Sequence, residues 1–126
     1  MERIEEFTLE GRNFIYIDLS DIKTADQFLD LSLDIKPTIS KYPENSIYTI
    51  TNIRNMKLDS EAKRIMADYM LFDKPYVRYG VVIGMDGIKK VMTSSIFKEV
   101  GRSNMNFAFS KEHAIEWLLQ QDRDED

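Results

Sequence analysis

The chain contains no cysteine and only one histidine among its 126 residues. The first absence excludes disulfides and thiolate zinc sites. The second leaves His113 without a companion set of metal ligands or a cysteine nucleophile, and a lone histidine makes a poor catalytic centre. No apolar run approaches the roughly 18 residues that a membrane-spanning helix needs. Positive charge is also in short supply: 17 Lys and Arg stand against 22 Asp and Glu, a formal net charge of −5. That balance disfavours binding to the phosphate backbone of nucleic acids. The opening residues, Met1-Glu2-Arg3-Ile4-Glu5-Glu6, lack the basic-then-apolar order of a signal peptide. A cytoplasmic protein is therefore the expectation.

What the chain does have is regular alternation. Residues 4–9 and 13–19 read as strands joined by a tight Glu10-Gly11-Arg12 turn. In the second strand Ile15, Ile17 and Leu19 share one face and Phe14 and Tyr16 the other. Thr24 with Gln27 three residues on forms a capping box for a helix carrying Phe28, Leu31 and Ile35 inward, which Pro37 should kink or interrupt. Residues 47–53 form the next strand, and Asp59 caps a helix burying Ala62, Ile65, Met66, Tyr69 and Phe72. A strand over 76–83 ends in Val81-Val82-Ile83, apolar on both faces as in a covered parallel sheet. The following helix should point Ile88, Val91, Met92, Ile96 and Val100 inward and stop at Gly101. A short edge strand over 104–109 leads to a Ser110-capped helix burying Ala114, Trp117 and Leu118, with Phe107, Phe109 and Trp117 packed together. The fold expected is α/β: four βα units, joined by right-handed crossovers into a mostly parallel sheet, behind an antiparallel hairpin strand. Residues 1–121 form a single domain and 122–126 an acidic disordered tail. The seven methionines are read as core filler.

This order of elements resembles the STAS domain of the anti-sigma factor antagonists and of sulphate-transporter tails. Over residues 14–119 it is similar, more closely, to the small bacterial SpoIIAA-like proteins, which are grouped with lipid-binding domains. The residues that carry the likeness are Asp73-Lys74-Pro75-Tyr76-Val77-Arg78, Val81-Val82-Ile83-Gly84, Gly87-Ile88-Lys89-Lys90, Gly101-Arg102, and the closing 112–118 segment. In the anti-sigma factor antagonists an Asp-Ser-Ser-Gly sequence opens the helix and a kinase phosphorylates its second serine. Here the matching residues are Asp59, Ser60, Glu61 and Ala62, so a fixed carboxylate stands at the acceptor position. The resemblance implies a non-enzymatic regulatory module that docks a protein partner through Asp59, Ser60 and Glu61 without the phosphoserine switch. Its second implication is a carrier of an apolar ligand or lipid with peripheral membrane contact, Pro37 letting the first helix act as a lid.

Other candidates carry less. Gly84, Gly87, Lys89 and Lys90 surround a helix start and form a weak anion site, although Asp86 opposes an anion and the spacing matches neither phosphate-loop nor dinucleotide motifs. Asp18 and Asp21 read as turn chemistry rather than a metal site, and Asp30 and Asp34 as solvated residues one helical turn apart. Lys89, Lys90, Lys98 and Arg102 form a small basic region. No nucleophile–base pair, metal cluster or cofactor loop stands out, so neither an enzyme nor a bound cofactor is expected. The free edge of the last strand is a possible dimer contact.

Overall fold

The computed structural model describes residues 2–122; residues 123–126, most of the expected acidic tail, lie outside the described residues. Glu10 and Gly11 both adopt positive φ, the two-residue reversal that suits the twist of a hairpin, and join β1 (Ile4–Leu9) to β2 (Arg12–Asp18) in antiparallel register. From there the chain alternates: α1 (Ala25–Ser40), β3 (Ile47–Asn52), α2 (Ser60–Asp73), β4 (Val77–Ile83), α3 (Gly87–Glu99), β5 (Met105–Phe107) and α4 (Lys111–Gln120). The sheet has the order β1-β2-β3-β4-β5, with β2 to β5 parallel. The protein is thus the α/β hairpin-plus-βα-units fold that the sequence pattern implies.

Every parallel step moves in the same direction. Right-handed crossovers then place successive helices on one face, and α1, α2 and α3 do share one core with Ile15, Ile17, Ile47 and Val82. The opposite face is left to α4, whose Ala114 and Leu118 cover Phe14, Tyr48, Ile50, Val81 and Ile83. The alternation expected of the second strand and the two-sided burial of Val81-Val82-Ile83 both hold. A register shift between Ile47 and Tyr48 lets Val77 and Val82, an odd number of residues apart, point into the same core. On the α4 side a row of rings crosses the sheet: Phe7 to Phe14 at 5.2 Å, Phe14 to Tyr48 at 5.5 Å, Tyr48 to Tyr79 at 6.3 Å and Tyr79 to Trp117 at 5.9 Å. Arg12 fastens α4 by donating to the Leu118 carbonyl at 2.8 Å, and Asp122 accepts from the Tyr48 hydroxyl and from Arg78.

Three expectations are corrected. Pro37 does not interrupt α1, which continues to Ser40. Proline removes one amide bond, to the carbonyl of Leu33, and Leu33 and Pro37 are both exposed, so solvent can take up that carbonyl. Ile88 and Val91 point outward, 75% and 71% exposed, because α3 turns Thr93, Ile96 and Phe97 to the sheet instead. Phe97 stacks on Phe107 at 5.5 Å and Thr93 returns its hydroxyl to the Lys89 carbonyl at 2.7 Å. Finally, Phe107, Phe109 and Trp117 do not form one cluster. Phe107 and Trp117 lie on opposite faces of the sheet, and Phe109, just beyond the end of β5, is 96% exposed.

Candidate functional site

The start of α2 is displayed by a loop that the rest of the fold holds in place. The Asn52 side chain accepts the Arg54 amide at 3.0 Å, and the Met56 amide closes a turn onto Ile53 at 3.1 Å. The Lys57 amide donates to Ile22 at 2.9 Å, the Asn55 side chain to Asp21 at 3.2 Å, and the Lys23 ammonium to the Asn55 carbonyl. Met56 and Leu58 are buried beneath it. Gly84, at φ +82°, packs against this loop so closely that an added methyl would lie 2.5 Å from the Asn52 side-chain oxygen and 2.8 Å from the Arg54 nitrogen. Asp59 then caps the helix, accepting the Ala62 amide at 2.9 Å. Ser60 and Glu61 follow on the outer surface. The Glu61 side chain is 67% exposed, with Arg64 one turn on at 3.9 Å, too long and too solvated an ion pair to hold it. Asp59, Ser60 and Glu61 are therefore brought together at one exposed helix start, with Glu61 outward.

The second group is arranged differently. Asp86 caps α3 and its carboxylate accepts the Lys89 amide at 2.9 Å, so the amide that would greet an anion is already engaged by an acid. Lys90 lies over the Phe107 ring at 5.4 Å. Gly84, Gly87, Lys90, Phe107 and Phe109 border an open depression of about 290 Å³. Asp18 and Asp21 serve local turns: Asp18 accepts the Ser20 amide at 2.9 Å, and Asp21, at φ +62°, receives Asn55. His113 is exposed, its amide donating to the Ser110 hydroxyl at 3.2 Å and its Nδ1 lying 2.8 Å from the same oxygen; the pair is a helix cap.

The basic region loses one member. Arg102 is buried, pairing with the equally buried Asp73 at 2.5 Å. Arg102 also donates to the Met70 carbonyl at 3.0 Å and to Asn104 at 3.2 Å, while Asn104 donates to the Val77 and Arg78 carbonyls at 3.0 Å each. This network ties the end of α2 to the start of β4 and to the short edge strand β5. Desolvation pushes the Asp73 carboxyl up to about 6 against the pull of Arg102, and burial raises the nearby Tyr69 hydroxyl well above its usual range. Tyr69 and Arg102, with Thr49, Thr51 and Thr93, line an enclosed cavity of about 20 Å³, room for a water molecule. The sequence reasoning missed this cluster. The available signal was spacing: Met66, Tyr69, Met70 and Asp73 lie on one helical stripe, so Asp73 continues a buried face.

No family model matches the chain, and no curated protein does.

Proposed function

We propose that this protein is a non-enzymatic, STAS-like interaction module whose protein partner reads the start of α2, at Asp59, Ser60 and Glu61, without a phosphoserine switch. The observation that carries this reading is the anchored loop over 53–59, which presents an outward carboxylate on a rigid platform. A permanent negative charge also suits its place, because the free amides and dipole of a helix start favour it by about 0.3–1 kcal/mol. Preorganisation matters for recognition, since a surface already held in its bound form loses less entropy on docking. The packing of the interior supports docking over ligand carriage. Phe28, Ile35 and Ile39 seal α1 onto the sheet, and the enclosed cavity lies under α2 and α3 with space for water rather than lipid.

The test is affinity capture from the native host with wild type and Glu61→Lys. Charge reversal at an exposed position should leave the fold intact, as judged by circular dichroism, and reduce partner recovery at least tenfold. A partner recovered equally by both proteins would place docking elsewhere.

A further inference from the structure

We propose that one buried water molecule is an integral part of this fold, bridging the Tyr69 hydroxyl of α2 to the threonine hydroxyls of β3 in the cavity beneath α2 and α3. Tyr69 is buried, and its hydroxyl has no hydrogen-bond partner among the described residues. Burial, and then the charge of Asp73, raise that hydroxyl well above its usual range, so it keeps its proton and is a donor in need of an acceptor. The Asp73 carboxylate, one turn further along α2, is engaged by Arg102 at 2.5 Å instead. A buried hydroxyl without a partner is costly, and native proteins satisfy such groups with protein atoms or ordered water.

The cavity selects its guest by size, polarity and charge. Its volume of about 20 Å³ exceeds the roughly 10–15 Å³ that one water requires and leaves no room for a larger solute. Tyr69 lines it from α2, Thr93 from α3, and Thr49 and Thr51, two residues apart on one face of β3, from the sheet. A water needs two to four polar partners, and this wall supplies them. It accepts the Tyr69 proton and donates to threonine oxygens. Thr93 has already given its own proton to the Lys89 carbonyl at 2.7 Å, so its oxygen can only accept. An apolar guest would satisfy none of these groups. Asp73 and Arg102 neutralise each other in the wall, so no net charge calls for an ion.

A crystal structure of the whole chain, at a resolution that resolves ordered waters, tests this directly. It should show one water at about 2.8 Å from the Tyr69 hydroxyl oxygen and within reach of Thr49 or Thr51. In urea titrations Tyr69→Phe should lower the folding equilibrium constant about two- to tenfold, the loss of one satisfied hydrogen bond. The same change should cost less in a Thr49→Val, Thr51→Val background, where the water has lost its other anchors. A Tyr69 hydroxyl with no water beside it overturns the proposal. So does a Tyr69→Phe protein as stable as wild type or more so, since deleting an unpartnered buried hydroxyl is no loss. A Tyr69→Phe cost unchanged in the valine background removes the bridge to β3. None of these substitutions alters Asp59, Ser60 or Glu61, so the docking reading is tested separately.

Discussion

Asp73 and Arg102 bring a pair of full charges into the interior, and the cost of stripping them of water sets how the protein responds to mutation and to pH. Removing one partner leaves the other buried and uncompensated, which costs about 3–5 kcal/mol, whereas apolar replacement of both is far milder. Urea titrations should therefore find Asp73→Leu and Arg102→Met each strongly destabilising, and the double variant less so than the sum of the two. Additive losses would mean that the pair does not act as a unit. The pH dependence has an unusual sign. Asp73 titrates near 6 in the folded protein, above its ordinary 3.8, because burial penalises the charged form. Its favourable contribution is complete below about 3.8 and is lost as pH rises through about 6. Glu6 and Asp122 are shifted down by their hydrogen bonds to Lys41 and Arg78, so their contributions are lost only as pH falls below the ordinary carboxylate range. Between pH 7.5 and 5 the melting temperature should accordingly rise by a few degrees, roughly, in wild type. In the double variant it should stay flat; an equal rise there would assign the effect to another group.

Elements are placed by their ends more than by their middles. Thr24 with Gln27, Asp59 and Ser110 cap the helices that their positions imply, and Gly101 at φ +73° ends α3 as a glycine after a helix does. These signals are local, so the sequence alone exposes them. Which face of α3 turns inward was not legible, because two apolar stripes compete and the winner depends on the ring of Phe107, on another element. The Asp73–Arg102 pair was equally hidden, since 29 residues separate its members and only the strand order brings them together. The exposed stretch over 59–61 was legible because a cap and an acidic first turn declare an outward helix start. The turn after β4 matters to that site. Gly84→Ala should cost about 2–4 kcal/mol, combining left-handed strain with collision against the loop over 52–54. Gly87→Ala, where an added methyl meets nothing within 4 Å, should change stability by less than about 0.5 kcal/mol. Chemical denaturation of both variants checks the contrast, and equal effects would show that the loop does not depend on Gly84.

At the scale of the whole molecule, the monotonic strand order has a functional consequence. Ligand crevices in open parallel sheets form where the order reverses and helices part to opposite faces. From β2 to β5 the order does not reverse, and the cavity between the sheet and α2 and α3 has room for no more than a water molecule. What such a sheet offers instead is its rim of helix starts and the grooves between neighbouring helices, which suits recognition of surfaces. The outward start of α2 is the central claim. The most direct measurement is site-specific photocrosslinking in the native host, with the reactive group at Ser60 and, as control, at the exposed Leu33 of α1. The account predicts one discrete adduct from position 60, absent from position 33 and abolished by Glu61→Lys. No adduct at position 60, or the same adduct from both positions, would contradict it.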